Sequence, residues 1–127
     1  MRLLTHNFLA CLQCDTSPLL LTATDVEEIP VEYDAEFTRR MLARIDYPSL
    51  RTTFHKLRAA HDLVRGHSGE LPATLDGADL TDESEFLRCA HYALNVIAVK
   101  NGALQCPACK TTYAVHEFIP NFVQENK

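Results

Sequence analysis

The chain has 127 residues, 46% of them hydrophobic and 23% charged, with a formal net charge of −5. That suits one domain, or a domain with a modest lobe built into it, and so short a chain often leans on a metal, disulfides or a partner to complete its burial. An acidic balance argues against direct nucleic-acid binding as the main task, although Arg39, Arg40 and Arg44 offer a local basic patch.

No apolar run approaches the 18 or more residues of a membrane span, and Met1 to Asn7 lacks the long apolar region of a secretory signal. The expectation is an intracellular protein with no membrane role. In a reducing compartment its five cysteines point to metal or redox chemistry rather than a disulfide frame.

In chain order, Leu19 to Ala23 and Ile29 to Tyr33 read as short strands. Asp34 is a good N-cap for a first helix reaching about Asp46, with Phe37, Met41 and Ile45 recurring at i, i+4, i+8. A second helix begins near Tyr47-Pro48, carries Leu50, Phe54, Leu57, His61 and Val64 on one stripe, and is closed by Gly66. A loop from His67 to Leu80 contains Gly69, Pro72 and Gly77. Asp82 and Glu85 have capping-box spacing for a third helix, whose buried face is Phe86, Cys89, Ala90, Ala93 and Ile97. That helix ends near Leu94, since Val96-Ile97-Ala98-Val99 is rich in β-branched residues.

Asn101-Gly102 then lies between two apolar runs, the strongest short hairpin signal in the chain. Ala103-Leu104-Gln105 and Thr111 to Val115 follow as strands. The predicted fold class is α+β: a small zinc-binding β module made by both termini, residues 1–33 and 95–127. A helical lobe of about three helices, residues 34–94, is inserted into it.

Two Cys-x-x-Cys pairs, Cys11-Leu12-Gln13-Cys14 and Cys106-Pro107-Ala108-Cys109, carry the chemistry. Two intervening residues let one backbone turn present both sulfurs to the same metal. Two such knuckles complete a tetrahedral S₄ set, a closed structural coordination for zinc. A simple ribbon separates its knuckles by about 15–20 residues, but here 91 residues lie between Cys14 and Cys106. If both pairs bind one ion, the ends must meet, closing a long loop where a metal clip stabilises most.

A dithiol redox centre would place one pair at a helix N-terminus in a βαβ setting, which neither pair has. Cys89 reads as a small buried hydrophobe. His61 reads as a core or boundary residue, and His6 and His116 as candidates for contacts behind the metal ligands or with a partner. Asp25, Glu27, Glu28 and Glu32 form a solvated face. With only four glycines, none arranged as a phosphate or dinucleotide loop, and no nucleophile elbow, the chain lacks the parts of an enzyme.

The ends also carry a resemblance. Met1-Arg2-Leu3-Leu4-Thr5-His6-Asn7-Phe8-Leu9, Pro30-Val31-Glu32-Tyr33, Gly102-Ala103-Leu104-Gln105-Cys106-Pro107 and Phe118-Ile119-Pro120-Asn121-Phe122 resemble the small zinc-binding activator subunit shared by tRNA, rRNA and release-factor methyltransferases. The resemblance covers both ends in order and is only one of pattern through residues 47–85. It implies a non-catalytic activating and stabilising subunit, cytoplasmic and nuclear, that binds no S-adenosylmethionine. It also implies a heterodimer with a Rossmann-type methyltransferase, formed by strand pairing, with nucleic acid met only through that partner.

The partner face is then expected at Asn7, Phe8, Phe118, Ile119, Pro120, Asn121 and Phe122, and one structural zinc ion at Cys11, Cys14, Cys106 and Cys109. Leftover apolar side chains in both segments fit a binding face. One departure is Phe118, where many relatives carry glycine and a side chain restricts the turn. The alternative reading is a zinc-ribbon module that binds nucleic acid or an RNA-processing complex directly.

Overall fold

A computed structural model of the chain describes residues 1–65 and 71–121. The expected helix stop at Gly66, the start of the following loop through Gly69, and Phe122 lie outside the described residues.

The order is α1 (Leu3–Asn7), β1 (Leu20–Glu28), α2 (Ala35–Leu42), α3 (Tyr47–Ala60), α4 (Asp62–Arg65), α5 (Glu85–His91), a π-helical stretch (Tyr92–Val96), β2 (Ile97–Gln105), β3 (Thr112–His116) and β4 (Ile119–Asn121). The four strands form one antiparallel sheet in sequential order. β1 comes from the front of the chain and β2, β3 and β4 from the back, so the α+β class and the union of both end regions are as expected. Met1 joins from outside the named strands: its terminal ammonium donates to the Val99 carbonyl at 2.7 Å, and its carbonyl accepts from the Val99 N–H at 2.8 Å.

One apolar cluster links sheet to helices. Leu21, Val99, Leu104, Tyr113 and Val115 from the strands meet Leu50, Phe54 and Leu57 of α3 and Leu87 and Ala90 of α5, with Cys11 and Cys106 in the same cluster. The α3 positions are spaced i, i+4, i+7, which puts one stripe against the sheet.

Asp34 caps α2 by accepting from the Phe37 N–H at 3.0 Å. α2 stops at Leu42 rather than near Asp46, because Asp46 is the N-cap of α3 and accepts from the Ser49 N–H at 3.1 Å. α3 breaks at His61, which adopts extended angles, before the single turn of α4. At α5 the cap is Ser84, whose Oγ accepts from the Leu87 N–H at 3.0 Å. Asp82 is not part of a capping box and pairs instead with Arg39. Ala90, Ala93 and Ile97 are buried as expected, but Leu87 is fully enclosed while Phe86 and Cys89 are half-buried.

Three strand expectations are corrected. The front strand runs from Leu20 to Glu28 with a bulge around Asp25, and Ile29–Tyr33 is not a strand: the Ile29 N–H bonds the Val96 carbonyl, and Pro30 has no N–H to continue a ladder. Asn101-Gly102 is not a turn. Both residues sit inside β2, with Gly102 paired to Ala23 on one side and Val115 on the other. A Cβ on Gly102 would lie 2.4 Å from the Thr22 carbonyl oxygen, so this glycine permits close strand approach rather than positive φ. Asn101 faces a bulge in β1, donating from Nδ2 to Asp25 at 3.1 Å and accepting at Oδ1 from the Glu117 N–H at 3.2 Å.

The tight hairpin turn is Glu117-Phe118, between paired His116 and Ile119, with φ of 48° and 71°. Both positions are left-handed, as a type I′ turn requires. The Phe118 N–H anchors it to the Lys100 carbonyl at 2.9 Å.

The two edges of the sheet differ. On β1, the Leu21 carbonyl accepts from Lys56 Nζ at 3.3 Å and the Ala23 carbonyl from His61 Nε2 at 3.2 Å, so side chains of the helical segment cover that edge. Among the described residues no strand pairs with the outer side of β4.

Candidate metal centre

Both knuckles follow one six-residue pattern, Cys-x-x-Cys-x-Thr: Cys11 to Thr16 and Cys106 to Thr111. In each, the N–H of the first cysteine donates to the threonine carbonyl at 2.9 Å. The fifth residue turns the chain back through left-handed φ, 60° at Asp15 and 64° at Lys110. Its N–H donates to the carbonyl of the first cysteine, at 2.8 Å and 3.0 Å respectively. The threonine hydroxyl lies 3.1 Å from the second sulfur in both. A knuckle amide points at each first sulfur, Gln13 N–H to Cys11 at 3.3 Å and Cys109 N–H to Cys106 at 3.4 Å.

Two sulfur–sulfur contacts run between knuckles: Cys11 to Cys109 at 3.6 Å and Cys14 to Cys106 at 3.4 Å. All four Sγ atoms lie within 4.8 Å of one another. With metal–sulfur bonds of about 2.3 Å, a tetrahedral S₄ set has edges of about 3.8 Å, so the cluster has the dimensions of a metal site. The approaches are far too long for disulfides, and all five cysteines are free. The first cysteine of each knuckle is buried and the second exposed.

Hydrogen bonds favour the thiolate, the form that binds metal. Tyr113, with the Gln13 and Cys14 amides, holds the Cys11 thiol down at about 6. The Cys109 amide lowers Cys106. At Cys14, Thr16 acts in the same sense, but the Cys106 and Cys109 sulfurs and burial outweigh it and leave the thiol raised.

Of the other candidates, His6 is buried and its Nε2–H donates to the Leu19 carbonyl at 2.7 Å, while His116 is exposed on β3. Phe8 is 58% exposed and Ile119 67%. Phe118 and Pro120 share a cavity of about 290 Å³ with Met1, Arg2, Thr5, Ile29 and Ala98, so α1 and the β3–β4 hairpin flank one depression. The Asn7 amide bonds the backbone of Asp46 in both directions.

Sequence reading missed Thr16, Thr111 and Tyr113. The threonines had a visible signal in the repeated Cys-x-x-Cys-x-Thr. Tyr113 had none, because its bond to Cys11 spans 102 positions.

The family model for Trm112p-like proteins matches residues 2–117. The chain belongs to that family. It is 35% identical to the multifunctional methyltransferase subunit TRM112 homolog A of Arabidopsis thaliana, covering 97% of this chain and 95% of that protein. It is 33% identical to the TRM112-like subunit of Mus musculus, over 97% and 94%. The TRM112 subunit of Saccharomyces cerevisiae is 27% identical, over 97% and 96%. Among solved structures, the E. cuniculi Mtq2–Trm112 complex, responsible for methylating the translation termination factor eRF1, shares the fold. That match has a TM-score of 0.59 at 21% identity and covers the whole of both chains.

Proposed function

We propose that this chain is a non-catalytic activating and stabilising subunit of S-adenosylmethionine-dependent methyltransferases that modify tRNA, rRNA and translation release factor. Its four clustered cysteines hold one structural zinc ion. Members of its family are named as methyltransferase subunits, and the observation that carries the reading is exposed Ile119 on β4, the terminal strand of the sheet among the described residues.

Strand addition needs an edge with free backbone groups and side chains to give it specificity. The β1 edge is occupied by Lys56 and His61, and among the described residues β4 is the other edge strand. Exposed Ile119 projects from it, and the depression beside Phe118 and Pro120 can receive an apolar anchor. Phe8 supplies further exposed apolar surface. The partner, a Rossmann-type enzyme with its own sheet, holds the methyl donor and meets the nucleic acid. Activation then needs no chemistry from this chain, since binding only the folded enzyme stabilises it by about 2.7 kcal/mol at a hundredfold excess over Kd. This reading places the protein in cytoplasm and nucleus, where such substrates are made and used.

The four sulfurs fit a d¹⁰ ion with no geometric demand beyond a tetrahedron, and a closed set leaves no open position for catalysis. The test is a tagged pull-down from native extract, with Ile119→Glu beside the natural chain. The expected result is methyltransferases in near-equal amount on the natural chain, lost with Ile119→Glu while its melting point stays put. Capture of RNA alone, or of no methyltransferase, overturns the reading.

A further inference from the structure

We propose that Tyr113 is a positioning residue for the metal centre: its hydroxyl donates to the Cys11 thiolate and fastens the front knuckle to the sheet, slowing metal loss. This rests on the cysteine cluster holding an ion.

The two knuckles match in their backbone N–H to carbonyl bonds, and Tyr113 breaks the symmetry. Its hydroxyl lies 3.4 Å from Cys11 Sγ and accepts the Leu12 N–H at 3.1 Å. The position equivalent to Leu12 in the second knuckle is Pro107, which has no N–H and needs no acceptor. The second knuckle also runs directly into β3 through Thr111 and Thr112. The first is followed by Thr16 to Leu19 before β1 begins, with Tyr113 reaching across to it.

Orientation follows from charge. A metal-bound Cys11 has no proton, so at that contact the hydroxyl must donate, and its oxygen is left to accept from Leu12. Four thiolates on a divalent ion carry an excess of about two negative charges, and each hydrogen bond to sulfur spreads that charge. Cys11 receives two such bonds, from Gln13 and Tyr113, and it is the more buried of its pair. Tyr113 itself is enclosed at 2% exposure, so water cannot replace its hydroxyl if that is deleted. Partners of this kind change metal affinity by about ten- to a hundredfold.

The experiment uses the full chain loaded with zinc or cobalt(II), comparing the natural protein with Tyr113→Phe and with Tyr33→Phe. The latter loses a hydroxyl bonded to the Asp82 carbonyl, away from the sulfurs. Zinc transfer to a chelator should quicken about tenfold in Tyr113→Phe and stay unchanged in Tyr33→Phe. The sulfur-to-cobalt charge-transfer band should move to lower energy, because the thiolate loses a donor. Should Tyr113→Phe fold poorly, replacing all tyrosines by 3-fluorotyrosine keeps the shape and makes the donor stronger. The band then moves to higher energy, and Tyr113 is the tyrosine in contact with a cysteine sulfur of the cluster. Unchanged transfer and an unmoved band overturn the proposal while leaving the metal site intact. A natural chain that takes up no metal overturns both.

Discussion

The Asn7 side chain and the Asp46 backbone clasp each other. Nδ2 donates to the Asp46 carbonyl and the Asp46 N–H donates to Oδ1, both at 2.8 Å. Asp46 in turn caps α3 with its own carboxylate, so α1 is tied to the start of the longest helix. The clasp sets the angle at which α1 presents the exposed Phe8. Asn7→Ala should lower stability by about 1 kcal/mol, two solvent-touched bonds being worth little individually. It should also speed hydrogen exchange at the Asp46 amide. Thermal melting and exchange rates measure both; an unchanged Asp46 amide counts against the clasp.

Metal removal should cost the sheet its order before the helices lose theirs. The cysteines draw β1's approach and the β2–β3 connection to one point, and a structural ion contributes its binding energy directly to folding. One equivalent of zinc is expected by elemental analysis. Chelation, or Cys106→Ser, should lower the melting point sharply and broaden the strand amide resonances. A stripped protein that melts unchanged refutes a structural ion.

Gly102→Ala should destabilise the chain by about 1–3 kcal/mol or more, because the new methyl meets backbone that has no rotamer to yield. Were Gly102 a turn residue, alanine would instead be refused for its φ, and asparagine would rescue it. In β2 neither residue fits, so equal losses in urea midpoint for Gly102→Ala and Gly102→Asn are expected.

Acid should weaken the fold partly through His6. Burial lowers its pKa below the ordinary 6.5, the bond to Leu19 opposing only in part. As pH falls through the ordinary value, the unfolded chain takes the proton first, so stability declines until the folded ring is also protonated. Above that window His6 contributes nothing to the pH dependence. His6→Gln keeps a donor for the Leu19 carbonyl and cannot charge. Its melting point should fall less than the natural chain's between pH of about 7.5 and about 5.5; parallel curves discard the assignment.

What could be read without coordinates was what short-range chemistry decides. The two Cys-x-x-Cys pairs, the Asp34 cap and the proline start of α3 rest on residues within one turn of each other. The joining of distant ends followed from a metal needing four ligands. The errors arose where a distant neighbour outvoted local preference. Asn101-Gly102 has ideal turn chemistry, yet strands on both sides hold it straight, and the turn formed at Glu117-Phe118 despite two side chains that resist positive φ. Asp82 had the spacing of a cap until Arg39 claimed it. Tyr113 reaches its sulfur only because the sheet exists.

The spread of the ligands along the chain also orders events during synthesis. Cys14 and Cys106 are 92 positions apart, so at common elongation rates the first thiols wait about 5–20 s for the second pair. Throughout that interval the front knuckle has only half a site to offer. A ribosome that stops early, or a frame lost anywhere before Cys106, yields a product that lacks the second pair of sulfurs. The second knuckle, made after the whole helical segment, therefore acts as an inspection stamp on everything translated before it.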